Sequence, residues 1–450
     1  MSETKTTTKR HSYIWLAALA LAVAIGACGA PATPPPSPST PPADTPTPAP
    51  TWTATPRPTS TPPPPPTATP VPPTLTPSLS LSPSPTPTPS SPFRPASWPG
   101  EEIRHLWVAP DGRLWLTTDT GIFIRAGDGW EQCYAGMANA ILGSDAAGRV
   151  WAILDDEKAI GAYDPSAGSG HGGATWSVYG PERGWTAPPS AVYLSPGYGD
   201  GLVTDPQGRV WLATGGDDLR RFDPQAQTWT VMTAADVGFE PPEEEGYQGH
   251  FLSDVALDGA GNVWVGDCIG MGEMLLGQGV RWFDGERWSG SADTAGECVY
   301  DVEVDDAGQV WVSGFDALIR YDPAAGDWSR IPLLPWERRQ LVTEITLDPA
   351  GNPWVEILRF GGASPFGAVA RYHLEGGAWV ADYDPGGEWF GDLAFGPDGV
   401  AWLCAEGTVY RLAGGQVEEV GAVAALYCQV EVDGAGRVWV AGAPGLWWLD

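Results

Sequence analysis

Positive charge is what this chain of 450 residues has least of: 24 basic residues stand against 55 acidic ones, a formal charge of -31, and only Lys5, Lys9 and Lys158 are lysines. Displacing counterions from phosphate needs clustered positive charge, so nucleic acid and anionic membrane surfaces are excluded as partners. Histidine is nearly as scarce, at five residues, and no His-x-x-x-His spacing, Gly-x-Ser-x-Gly elbow or Walker loop occurs. No catalytic residue is assigned on this basis. The apolar run near the N-terminus, Tyr13 to Ala27, has fifteen residues, short of the ~20 that a membrane-spanning helix needs. Beyond residue 100 no helical pattern longer than two turns is found.

Lys5, Lys9 and Arg10 precede that apolar run, which is the layout of a secretory signal. It ends Ile25-Gly26-Ala27-Cys28 and there resembles the bacterial lipoprotein signal, in which small residues before a cysteine permit lipidation and cleavage. The resemblance implies a signal peptide over residues 1–27 and a mature chain that begins at a lipidated Cys28. Its acyl chains would hold it, extracytoplasmic, at the cell membrane or cell surface, with no other membrane contact. From Gly29 to Pro99, 28 of 71 residues are proline and 25 are serine or threonine. Such a segment cannot bury a core, so a disordered Pro/Thr/Ser-rich linker is expected over residues 28–92. In polyproline II it would reach roughly 200 Å, the span of a stalk.

Residues 93–450 repeat one phrase eight times, Gly-x-x-Trp, usually with Asp three residues before the Gly. The tryptophans are Trp115, Trp151, Trp211, Trp264, Trp311, Trp354, Trp402 and Trp439; Asp145, Asp205, Asp258, Asp305, Asp348 and Asp433 precede six of them, while the first and seventh copies read Pro-Asp-Gly. Apolar alternation of period two flanks each turn, as in Val302, Val304, Val310 and Val312. A second signature follows, an aromatic or aliphatic pair, an Asp-led turn and another Trp: "LRRFDPQAQTW", "VRWFDGERW", "LIRYDPAAGDW". Each module of about 44 residues therefore reads as four antiparallel strands, A to D, with the turn Asp accepting backbone N–H groups and the Gly supplying positive φ. That predicts an all-β fold, a β-propeller of eight four-stranded blades, with seven as the runner-up.

The stretches "GRVWLATGGDDLRRFDP" and "GQVWVSGFDALIRYDP" resemble the repeats of two-component regulator propellers, the extracytoplasmic sensor modules of hybrid histidine kinases, and are similar also to streptogramin lyase-like propellers. The first resemblance implies a propeller that binds a small ligand or an extracellular protein, in sensing. The second implies an alternative, a metal-dependent lyase-like enzyme, although its His and acid constellation maps onto no residues here. The sensors continue into a transmembrane helix and a kinase, so ending at Asp450 makes any signalling role indirect.

The eighth module has only three strands, ending in "GLWWLD". Propellers remove exposed edges by letting one chain end complete the other's blade, so Phe93 to Gly100, with Trp98, is expected to close the eighth blade. The A–B and C–D turns open on one face and are short, apart from an insert at Ser166 to Thr175. The D–A and B–C connections open on the other face and vary. Insertions there at Gly180 to Asp200, Thr233 to His250, Asp267 to Gly279 and Arg359 to Gly367 are the expected binding loops, with Met271, Met274, Leu275 and Leu276 as adaptable apolar contacts.

Seven residues before the turn Gly, strand A carries Asp254, Asp301, Glu344 and Asp392, with Gln429 and His105 in the same place in two further modules; Ile141 and Gly201 break the ring. The residues form either a channel-mouth site for a divalent cation such as calcium or for a cationic ligand, with Trp107 as aromatic partner, or a solvated channel lining. The chain's cysteines predict two disulfides. Cys268 is four residues after its Trp and Cys298 thirteen before the next; Cys404 is two after and Cys428 eleven before. Antiparallel neighbours trade one step for another, so Cys268–Cys298 and Cys404–Cys428 occupy equivalent geometry, leaving Cys133 as a buried thiol.

Overall fold

The computed structural model describes residues 91–450 apart from residues 101, 156, 167–175, 188–200, 241–246, 272–273, 337–338, 361–367, 385–390, 415, 426–427 and 444. The signal peptide, Cys28 and nearly all of the 28–92 linker lie outside the described residues, as do most of the Ser166–Thr175 insert and large parts of the D–A and B–C insertions.

The strands form eight antiparallel four-stranded sheets, which are the blades of a β-propeller; seven is ruled out. Strand A runs Ile103–Val108, Ala138–Ser144, Leu202–Thr204, Tyr247–Leu257, Val302–Val304, Gln340–Leu347, Asp392–Phe395 and Gln429–Val432 in blades 1 to 8. These strands neighbour one another from blade 1 to blade 6 and from blade 7 through blade 8 to blade 1, and so form the innermost ring. The eighth sheet closes as the sequence demands: Arg94–Ala96 pairs antiparallel with Gly445–Leu449, Ala96 opposite Leu446. Trp98 lies just past this strand and packs against the core between blades 8 and 1.

Hydrophobic cores lie between blades, and each of the eight repeated tryptophans packs in a different one. The second signature tryptophan, on strand D, packs onto the repeated tryptophan of the preceding blade. Trp229 meets Trp151 at 5.6 Å, Trp288 meets Trp211 at 5.9 Å, and Trp328 meets Trp264 at 6.1 Å between ring centroids. Two large amphipathic rings thus fill each of these three junctions, a use that accounts for part of the chain's 24 Trp.

Both predicted disulfides form, each joining strand B of one blade to the approach to strand A of the next. Cys268–Cys298 staples blade 4 to blade 5 with Cα atoms 4.3 Å apart, and Cys404–Cys428 staples blade 7 to blade 8 at 6.0 Å. Bonds of this kind persist in oxidising compartments and mark the propeller as extracytoplasmic. Cys133 is free but only half-buried, not buried as expected; its thiol donates to the Ile122 carbonyl and is pushed up to about 12 by desolvation. The expected loop Asp267 to Gly279 is instead largely strand: strand B extends to Met271 and strand C begins at Met274, making a long hairpin. Gly277, which read as loop, lies within strand C.

Candidate functional site

The side chain seven residues before the turn Gly has one recurring task in this fold. It leaves strand A of its own blade and accepts a backbone N–H from strand A of the next. Asp254 Oδ2 accepts from Val302 N at 3.1 Å, Asp301 Oδ2 from Ile345 N at 2.6 Å, and Asp392 Oδ2 from Val430 N at 2.7 Å. Gln429 Oε1 accepts from Leu106 N at 3.0 Å, carrying the belt across the seam, and His105 Nδ1 accepts from Ile141 N at 3.0 Å. A bulge at Ile141/Gly143 shifts blade 2 by one residue, so that Ile141, which breaks the run of acids, supplies the donating N–H there.

Burial sets the charge of these latches. His105 is pushed down to about 4 by desolvation, so it is a neutral acceptor at physiological pH. Asp254 and Asp392 are pushed up to about 7, chiefly by burial, then by Glu303 and by Glu344 respectively. Asp301 is raised well above the ordinary carboxylate value by burial and by Asp254. Low dielectric disfavours the charged form, and a neighbouring acid disfavours it further.

Glu344 departs from the belt. Its longer side chain turns to Arg371 on strand C of the same blade, at 3.0 Å, and Arg371 also meets Glu356 at 2.8 Å while donating to the Gly391 carbonyl of the next blade. An arginine thus replaces the direct latch at the junction of blades 6 and 7. Glu356 is pushed up to about 7, mainly by burial, against the pull of Arg371. Sequence reasoning missed both Arg371 and Glu356; the signal was a charge within the apolar run Ala368-Val369-Ala370-Arg371. Among the described residues, no group of three or more His, Cys, Asp or Glu side chains is disposed to hold a metal ion.

Trp107 is placed apart from the acids, in blade 1, where it packs against Trp115 at 6.2 Å and lines a cavity of about 320 Å³ with Leu142, Ser144 and Leu202. On the D–A and B–C face a different constellation stands out. Trp336, in the connection from blade 5 to blade 6, is 41% exposed beside the equally open Leu334. The Arg359 guanidinium lies 4.3 Å from its ring centroid and is held by two 2.8 Å bonds to Asp384 and by Tyr372 Oη. The exposed indole is thus backed by a fixed cation and by a carboxylate that is itself partly open, with Asp384 37% exposed. On the same face His250 Nδ1 meets Asp267 at 2.9 Å, and buried Arg220 sits 4.4 Å from the Trp185 ring and donates to the Thr186 carbonyl.

No protein-family model and no curated protein matches the chain. Solved structures similar to it include the extracellular domain of the putative hybrid two component system BT4673 from B. thetaiotaomicron, at 12% identity and a TM-score of 0.37 over 79% of this chain and 52% of that one. PorZ, a surface component of the type-IX secretion system of Porphyromonas gingivalis, is 15% identical with a TM-score of 0.35 over 77% and 56%. YCF48 from Cyanidioschyzon merolae is 15% identical with a TM-score of 0.41 over 80% and 98%. The chain thus spans about half the length of the first two. Identities this low bear on fold alone, which the strand register above establishes independently.

Proposed function

We propose that this chain is an exported propeller, anchored by acyl chains on Cys28, that binds a small ligand or an extracytoplasmic protein partner on its D–A and B–C face, in sensing. The observation that carries the reading is the Trp336–Arg359–Asp384 constellation. A large aromatic side chain normally gains by burial, and here one is held open with a cation against its ring and hydrogen-bonding groups at its edge. The end of a strand places Arg359, while Trp336 and Asp384 lie in the connections beside it, the arrangement in which binding residues usually sit. The opposite face carries mainly the short Asp-led turns, whose polar groups are spent internally.

Two measurements test the two halves of this reading. Cys28→Ser should abolish incorporation of labelled fatty acid and release the protein from the membrane fraction; a processed variant that stays membrane-bound refutes the anchor. For the binding face, a small-molecule panel is screened by thermal shift on the full chain, since a ligand of the folded state raises its melting temperature by mass action. Ligands that act on the wild type should lose their effect on Trp336→Ala. Hits indifferent to that substitution would move the site away from this face.

A further inference from the structure

We infer that the cavity between strand C of blade 4 and the connection leading to blade 5 binds a small polar molecule with one carboxylate, which Arg281 receives. None of the residues around Trp336 takes part, so the two sites stand or fall separately. The cavity measures about 450 Å³ and is lined by Gly277, Gln278, Arg281, Gly290, Ser291 and Gly296, with Ala295 beside them. Sites for small molecules ordinarily occupy roughly 300–1,000 Å³.

Arg281 is held as a cation without a counter-ion. Its guanidinium lies 4.7 Å from the centroid of the Phe239 ring, in the connection from blade 3. Nε donates to the Gly238 carbonyl at 3.3 Å, and Nη1 donates to the carbonyls of Gln278 at 3.2 Å and Val280 at 3.1 Å. All three partners are neutral. Among the described residues, Nη2 donates to nothing and no carboxylate forms an ion pair with this side chain. Burial holds the guanidinium below the ordinary arginine value, and the charge of Asp267 opposes that only in part. Gly290 makes the pose possible, because a Cβ there would come within 2.7 Å of Nη1. The guanidinium therefore lies over bare backbone at the cavity wall.

The described acids of blade 4 and its exit connection are engaged elsewhere or form no pair with Arg281. Asp267 meets His250 at 2.9 Å, Glu297 meets Arg330 at 2.6 Å, and Asp293 accepts from Ser291 Oγ at 2.8 Å. One unneutralised cation matches one negative charge. A second charge, as on phosphate, would enter half-buried surroundings unpaired in a chain whose formal charge is already -31. With Nε and Nη1 spent, Nη2 alone is presented, which suits a single carboxylate oxygen and not the bidentate fork. Gly296 also lines the cavity, and its N–H donates to no backbone carbonyl, so it is available to the second oxygen. The lining carries no aromatic ring and no aliphatic side chain beyond that of Ala295, so the body of the ligand is small and polar.

The test is calorimetry and thermal melting of the full chain with acetate, lactate, alanine and inorganic phosphate at matched ionic strength. At least one of the three carboxylates should bind and raise the melting temperature, with phosphate inert. Arg281→Gln should weaken that binding by about tenfold or more. Because Arg281 also braces three carbonyls, a second variant leaves it in place: Ala295→Phe, at an exposed position with φ -61°, fills the cavity and should abolish binding while the unliganded protein melts as before. Trp336→Ala should bind the carboxylate as the wild type does; binding lost in that variant and kept in Ala295→Phe would transfer it to the other site. The assignment is overturned if none of the three carboxylates binds, if phosphate binds as well as they do, or if binding survives both Arg281→Gln and Ala295→Phe.

Discussion

At the scale of residues, the repeated phrase is a single hydrogen-bonded device. The turn Asp splits its carboxylate: in blade 3, Asp205 Oδ1 accepts Gln207 N at 3.0 Å and Arg209 N at 2.9 Å, while Oδ2 accepts Arg209 Nε at 2.5 Å and Trp211 Nε1 at 2.8 Å. The bond to the indole recurs at Asp145, Asp258, Asp305 and Asp433. A spacing of six from Asp to Trp is thus the reach of a carboxylate from a two-residue turn back over the strand it feeds, with Gly208 at φ 77° completing the bend. Asp205→Ala should cost about 3 kcal/mol, since it orphans a buried indole N–H and two turn amides. Blade 1 tests the converse: Ala109 stands where the Asp belongs, and Trp115 Nε1 is buried with no partner. Ala109→Asp should stabilise by about 1 kcal/mol. Denaturant midpoints at unchanged slope measure both, and a destabilised Ala109→Asp would refute the assignment.

At the scale of elements, the seam is where the chain's ends depend on each other. Arg94–Ala96 supplies the outermost strand of blade 8, and just before it Phe93, 6% exposed, plugs the core between blades 7 and 8 that also holds Cys404 and Val430. A three-residue strand is weak by itself; the plug, the Trp130 Nε1 bond to the Ser97 carbonyl at 3.0 Å and the nearby Cys404–Cys428 staple hold it in place. Phe93→Ala should therefore cost roughly 3 kcal/mol and expose the edge of Gly445–Leu449. Amide exchange should speed up in that strand and in Arg94–Ala96 before it does in blades 2 to 6. Uniform change around the ring would show that the seam is no weaker than any other junction. The closure was legible in the sequence because a three-stranded last module leaves an edge that only the other end of the repeat can cover. The plug was not, since nothing in one dimension places Phe93 against blade 7.

At the scale of the whole ring, blades are joined by packing between faces and by a belt of side chain to backbone bonds at the innermost strands. Five of its described links use three acceptor chemistries: carboxyl at Asp254, Asp301 and Asp392, amide at Gln429, imidazole at His105. They respond to acid in opposite directions. The raised carboxyls of Asp254 and Asp392, with Glu356, contribute most in acid and lose their contribution as pH rises toward about 7, and Asp301 is raised in the same direction. His105, lowered to about 4, contributes most above the unfolded imidazole value of ~6.5 and loses its contribution as pH falls toward 4. His105→Gln substitutes the acceptor that blade 8 already uses. The variant should keep the link to Ile141 and melt at a higher temperature relative to wild type at pH 4.5 than at pH 7.5. A constant difference across that range would mean that His105 is not buried neutral.

The one-dimensional pattern determined the blade number, the strand directions, the tight turns, the closure and both disulfides, because each of these follows from periodicity and from steps along antiparallel neighbours. The Trp phrase could be counted, and Cys268 with Cys298 obeyed the same offset as Cys404 with Cys428. Only the tertiary structure decided what the acids seven residues before the turn do, because their partners lie on another blade, 38 to 48 residues away in the chain. From sequence the same carboxylates read either as a cation site or as a wet lining. It took the position of the next blade's N–H, and the absence of water that burial implies, to turn Asp254 and Asp301 into latches. The Arg359–Trp336 contact was hidden for the same reason: it joins a connection to a strand end, and neither segment repeats, so no period could announce it.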